Sequence, residues 1–218
     1  MSEARLREEI CRTGQSLFAR GFAHATAGNI SARLDDGWLI TPTDACLGLL
    51  DPARLAKVGA DGVTLSGERP SKTLALHRAI YGADPEARCV IHTHSTHLVA
   101  SSLAGPWNGE DLLPPLTPYF VMKVGHVPLI PYRRPGDPDA ARLVAEAIAR
   151  FAAKGTPIRA VMLAKLGPNA WHDSPASAMA VLEELEETAR VWLLSGRVAG
   201  ILGDADIDEL RRSFGARW

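Results

Sequence analysis

His92 and His94 end the short apolar run Cys89-Val90-Ile91, inside the stretch Ala87-Arg88-Cys89-Val90-Ile91-His92-Thr93-His94-Ser95-Thr96-His97. Alternate residues of a strand project from the same face, so the two ring nitrogens can converge on one point. Neutral imidazole is the commonest metal ligand, and this pair offers two without backbone strain. Metal binding is the chemistry this spacing predicts. The competing reading is a polar strand end whose imidazoles are hydrogen-bonded and inert. Ser95 is placed to cap a helix beginning near Thr96, which would put His97 at the rim of the pair.

Such a site needs a strand, helices behind it and loops at its mouth. From Ser2 to Arg20 the residues Leu6, Ile10, Cys11, Leu17 and Phe18 recur at helical spacing, with Gly21 as the C′ residue. His24 to Asn29 is a small-residue loop. Ile30 to Leu34 and Trp38 to Thr41 read as a hairpin turned by Asp35-Asp36-Gly37. A helical turn follows Asp51-Pro52, and a second hairpin centres on Asp61-Gly62. The loop Ser66 to Lys72 leads into a helix from Thr73 to Tyr81 that closes before Gly82, and His77 on it reads as a hydrogen-bonded core residue.

Beyond the histidines come a helix through Leu98 to Leu103, a proline-rich loop carrying Trp107 and Tyr119, and a strand from Val127 to Ile130. Pro138 to Ala153 is an amphipathic helix capped by Asp137. Arg159 to Leu163 is a buried strand, broken by Gly167-Pro168 and resumed from Asn169 to Trp171. Ser174 caps the longest helix, Pro175 to Leu194, whose run Glu183 to Glu187 reads as a solvated face, and Asp204 to Phe214 is a terminal helix. Strands paired by hairpins and interleaved with helices define an α/β fold with a mixed or mostly antiparallel sheet.

The totals narrow the function classes. With 218 residues, 46% of them hydrophobic, the chain can bury a sizeable core, and residues 1–218 read as one domain. A net charge of −1 leaves no electrostatic footprint for nucleic acid or an anionic membrane. Arg133-Arg134 and Arg211-Arg212 are the only basic doublets. Cys11, Cys46 and Cys89 read as buried free thiols in a reducing compartment. With no signal-peptide core and no apolar run of about 18 residues, a cytoplasmic location is expected.

In order, Gly28-Asn29-Ile30-Ser31, Ile40-Thr41-Pro42-Thr43, Gly67 to Pro70-Ser71, His77, His92-Thr93-His94 and Ala164 to Pro168 resemble the class II aldolase/adducin family, over nearly the whole chain. Leu47 to Pro52, Pro70-Ser71-Lys72, Thr117-Pro118-Tyr119 and Glu183 to Thr188 are most similar to its 3-oxo-tetronate 4-phosphate decarboxylases, with fuculose-phosphate aldolases and ribulose-phosphate epimerases as cousins. The resemblance implies a three-layer α/β/α fold around a mixed, mostly antiparallel central sheet. It also implies a homotetramer with sites near subunit interfaces, a divalent metal, usually zinc, held by three histidines, and a phosphorylated sugar or sugar acid as substrate.

Carried onto this chain, the pattern assigns His92 and His94 as metal ligands. Leu166 stands where the family has its third histidine, just before Gly167-Pro168, and Thr73 stands at the catalytic position of an acid/base glutamate. Leucine ligates no metal, and a threonine hydroxyl is no proton shuttle near neutral pH. His24, His77, His97, His126 and His172 offer no assignable replacement, so the metal should be weakly held. Asn29, Thr43, Ser71 and Lys72 match phosphate-contacting segments and supply neutral donors and a cation for an anion. Asp44 stands where some members have glycine and adds a negative charge. Tyr119 is a candidate catalytic residue reaching a neighbouring subunit's pocket.

The implied function is a metal-dependent carbon–carbon lyase with an altered metal shell. Retro-aldol cleavage must remove a hydroxyl proton, whereas decarboxylation expels a group carrying none, so loss of the carboxylate at position 73 favours a decarboxylase-like reaction on a phosphorylated 3-oxo acid. The alternative is a non-catalytic member that keeps the anion pocket as a binding or scaffold protein. A metal-dependent oxygenase would need a completed ligand triad.

Overall fold

The computed structural model describes residues 2–198 and 200–218. Its elements are α1 (Glu3–Ala19), β1 (Asn29–Arg33), β2 (Gly37–Ile40), β3 (Ala56–Gly59), β4 (Thr64–Ser66), α2 (Leu74–Ala83), β5 (Cys89–His92), α3 (Thr96–Leu103), α4 (Pro118–Lys123), β6 (Leu129–Ile130), α5 (Pro138–Ala153), β7 (Ala160–Leu163), β8 (Gly167–His172), α6 (Pro175–Leu194) and α7 (Asp204–Phe214). The eight strands form one sheet in the order β4-β3-β2-β1-β5-β8-β7-β6. Every pair is antiparallel except β6 with β7.

Period-two alternation builds a core on each face of the sheet. Ile30, Ala32, Leu39, Cys89, Ile91 and Met162 point toward α1, α3 and α6, where they meet Ile10, Leu17, Leu98 and Leu182. Val90, Val161 and Trp171 point the other way, toward Ile80 and Tyr81 of α2 and Val144, Ile148 and Phe151 of α5. The result is the expected three-layer α/β/α arrangement. Each fully buried side chain of this size contributes roughly 2 kcal/mol.

The helix starts follow their caps. Ser2 accepts from the Arg5 N–H, Asp137 from Asp139 and Ser174 from Ser177. Several boundaries differ from the sequence expectation. Helix α2 continues through Gly82 to Ala83, because its apolar face is packed against α5 and outweighs the glycine penalty of about 1 kcal/mol. The chain does not break at Gly167-Pro168: both lie within β8, where Pro168 pairs with Met162, and the reversal falls at Lys165, φ 65. Tyr119 sits on the short helix α4 rather than in a loop, with Thr117 accepting from the Phe120 N–H and Pro118 in the first turn. Ser95 does not cap α3 with its side chain; its hydroxyl bonds Thr93 and the Phe22 carbonyl.

Candidate active site

Alternation along β5 sends Ile91 into the α1/α3/α6 core and His92 to the α2/α5 face. Register places Asn29 of β1 and Asn169 of β8 directly opposite His92 on either side, so three polar side chains form a row across the middle of the sheet. Two glycines let the flanking backbones close on this strand. At Gly28, φ +93, a Cβ would meet the His92 carbonyl oxygen at 2.8 Å; at Gly167, φ +152, it would meet the Thr93 carbonyl oxygen at 1.9 Å.

His92 Nδ1 lies 2.8 Å from the Pro168 carbonyl oxygen. A carbonyl only accepts, so Nδ1–H donates and Nε2 keeps its lone pair, the arrangement that orients metal-binding imidazoles. The rings of His92 and His94 are 5.1 Å apart, centroid to centroid, and inclined by 70°. Burial, then the neighbouring His94, pushes His92 down to about 4, and burial, then His24, lowers His94. Both rings are therefore in the neutral, ligating form at pH 7.

The pair opens into a cavity of about 470 Å³ lined also by Asn29, Thr43, Asp44, Ser71, Lys72, Thr73, Arg133, Arg134 and Leu166. All of the sequence-derived site residues except Tyr119 line it. Their roles are unequal. The Thr43 hydroxyl donates to the Pro70 carbonyl at 2.8 Å and its N–H donates to Arg69 at 2.9 Å, so Thr43 frames the Pro70-Ser71 turn rather than offering a free donor. Ser71 Oγ and Thr73 Oγ1 are 3.0 Å apart. Asn29 is buried with its Oδ1 unpaired. Lys72 is exposed and makes no ion pair among the described residues. Asp44 holds φ 58, the left-handed conformation that glycine enters at least cost.

The remaining histidines are accounted for. His97 is not at the rim: its Nδ1 is 2.8 Å from Glu186, whose carboxylate also accepts from the His97 and Leu98 N–H groups at the start of α3. Glu186 is thus a buried cap and not part of a solvated face. His77 Nδ1 is 2.7 Å from Ser31 Oγ, as expected of a core residue, although its Nε2 is unpaired and burial pushes it down to about 3. His126 bonds Asp111 at 2.8 Å and stacks on Trp218, and His172 pairs with Cys89 at the opposite end of β5 from His92. His24 comes nearest, with its ring 6.3 Å from that of His94.

Sequence reasoning missed Asn169, Arg133 and Arg134. Asn169 is 1% exposed with both amide atoms unpaired, and only the β5–β8 register reveals it as a neighbour of His92. The arginines come from the loop after β6, at the far edge of the sheet, and reach the cavity because α5 folds back onto α2. The basic doublet before Pro135-Gly136 was their visible signal.

These donors fall short of a resident metal centre. Two imidazoles converge, but Leu166 and Thr73 fill the positions beside them, and no group of three or more His, Cys, Asp or Glu side chains among the described residues is arranged to hold an ion. Catalytic zinc sites keep about three protein ligands.

The profile of the Class II Aldolase and Adducin N-terminal domain matches residues 8–193, and the chain belongs to that family. It is 58% identical to a 3-oxo-tetronate 4-phosphate decarboxylase of Cupriavidus necator, covering 100% of this chain and 99% of the relative. A protein of the same description from Escherichia coli K12 is 44% identical over 96% of each chain. Among solved structures, YgbL from Escherichia coli superposes with a TM-score of 0.86 at 43% identity, covering 96% of this chain and 99% of that one. The L-fuculose-1-phosphate aldolase of Thermus thermophilus gives 0.74 at 28% identity, covering 91% and 100%. Class II aldolases depend on a divalent metal.

Proposed function

We propose that the protein is a carbon–carbon lyase of the decarboxylase type, acting on a phosphorylated 3-oxo sugar acid. The observation that carries this reading is the composition of one cavity: an anion cradle of Asn29, Ser71 and Lys72 beside the neutral His92–His94 pair, with Thr73 where a proton-abstracting carboxylate would serve an aldolase. The relatives of 58% and 44% identity, matched along their whole length, favour an enzyme over a scaffold that merely kept the pocket.

The chain's own residues supply binding and orientation. Lys72 and the Ser71 hydroxyl engage the phosphate, Thr43 holds the Pro70-Ser71 turn in place, and the Asn29 amide reaches the adjacent substrate oxygens. In a 3-oxo-tetronate 4-phosphate the C1–C2 bond then breaks, CO2 leaves, and the electron pair becomes an enolate on the 3-oxo oxygen. A proton from solvent water then adds at C2 and gives dihydroxyacetone phosphate. No hydroxyl proton has to be removed, which suits Thr73. Zinc is the ion the imidazole donors favour, and the incomplete ligand set makes it loosely held.

We infer further a homotetramer, in which exposed Tyr119 approaches a neighbour's cavity, and a reducing cytoplasmic setting for the three free thiols. The test of the reaction is to supply 3-oxo-tetronate 4-phosphate with and without added divalent ions and to measure CO2 and dihydroxyacetone phosphate. Equal amounts of both products are expected. Absence of both under all ionic conditions would defeat the reading.

A further inference from the structure

The substrate class proposed above carries an anion at each end, and the cradle accounts for only one. The cavity holds a second cationic region, on the loop between β6 and α5, where Arg133 and Arg134 line it. These two arginines are held differently. Arg133 is neutralised by Asp139, with Nε 2.6 Å from its carboxylate, and it also donates to the Tyr132 carbonyl. Arg134 makes no such bond: its nearest carboxylate, Asp137, is 3.9 Å away, and the Arg134 side chain is 72% exposed. Asp137 is itself occupied, accepting from the Asp139 N–H as the cap of α5.

Arg134 is also fixed at its base. The Asp137 N–H donates to the Arg134 carbonyl at 3.0 Å, and Gly136 has φ 78. With Pro135 second and a positive-φ glycine third, Arg134 to Asp137 has the residue pattern of a type II turn with Arg134 as its first residue. The turn thus fixes the backbone from which a loosely paired guanidinium lines a cavity whose proposed cradle, on β1 and just before α2, comes from the other side of the sheet centre.

We propose that Arg134 binds the carboxylate end of the substrate and so selects ligands that carry a carboxylate as well as a phosphate. This rests on the phosphorylated 3-oxo acid reading. Guanidinium matches a carboxylate in a planar fork, whereas the phosphate falls to Lys72. The exposure of Arg134 suits the reaction. A buried, fully desolvated pair would hold the carboxylate in the ground state and oppose its loss as neutral CO2, while an exposed pair recruits and orients without deepening that well.

The test compares two unreactive ligands by calorimetry on the full chain. 4-Phosphoerythronate carries both anions and no 3-oxo group; dihydroxyacetone phosphate carries only the phosphate. Arg134→Ala should weaken phosphoerythronate about tenfold and leave dihydroxyacetone phosphate within about twofold, whereas Lys72→Ala should weaken both. In turnover, Arg134→Ala should raise KM without lowering kcat. The proposal is overturned if Arg134→Ala affects the two ligands equally or neither of them. If the unmodified protein binds neither ligand, the phosphate reading fails first and this inference falls with it.

Discussion

Leu166 and Thr73 line the cavity with His92 and His94, and in the proposed function these two departures from the family's pattern decide its chemistry. Leu166 lines the same cavity as two neutral imidazoles whose rings are 5.1 Å apart, so a histidine there would add a third nitrogen to a pair in which His92 is already oriented by the Pro168 carbonyl. Leu166→His should therefore tighten Co2+ binding at least about tenfold, read from titration of the metal's visible absorption, whereas Thr73→Glu alone should not. A full equivalent of tightly held metal in the unmodified protein would contradict the two-histidine account. The proposed anion cradle was largely legible from residue type, since Ser71-Lys72 precedes a helix and Asn29 follows a glycine. The commitment of Thr43 to Pro70 was not, because only the fold shows it. Asn169 carried no mark and Arg134 only its place in a basic doublet, because strand order and register bring them into the cavity and beside His92.

At the scale of elements, the least expected feature is a carboxylate on α6 that caps α3. Glu186 accepts from the N–H groups of His97 and Leu98 and from the His97 ring. Bonds to a charged acceptor are worth about 1.5–3 kcal/mol each, and the helix start carries partial positive charge. Glu186→Ala should cost roughly 2 kcal/mol or more in urea unfolding. Glu183, a half-buried partner of Arg20 on the same helix, should cost less than about 1 kcal/mol when changed to Ala. Equal losses would show that the cap carries no special weight. Four of the five residues from Glu183 to Glu187 are glutamates, so residue type alone does not distinguish the buried Glu186 from the others. The starts of α5 and α6 were legible because Asp137 and Ser174 mark them. The placement of Pro168 inside β8 was not, since Gly-Pro reads as a strand breaker and only the observed pairing of Pro168 with Met162 shows that the strand runs through it.

For the whole molecule, the two local hairpins, β1–β2 and β3–β4, could be read directly from Asp-Gly turns. The pairing of β5 between β1 and β8, which builds the site, joins segments some distance apart and leaves no local mark. The α/β class was readable from alternation; the strand order was not. The outer surface exposes Leu49, Leu103, Trp107 and Tyr119, apolar side chains on a chain of 23.4 kDa. Light scattering should give four times that mass at micromolar concentration, and a monomer would exclude a Tyr119 shared between subunits. Whether this shell supports loss of CO2 and not aldol cleavage can be read by paired 13C NMR. The protein, supplied with divalent ions, is given 3-oxo-tetronate 4-phosphate labelled at C1 and, separately, L-fuculose 1-phosphate. The label should move to CO2 and bicarbonate while L-fuculose 1-phosphate stays intact; a retained carboxyl label, or cleavage of the fuculose phosphate at a comparable rate, would rule out decarboxylation as this site's chemistry.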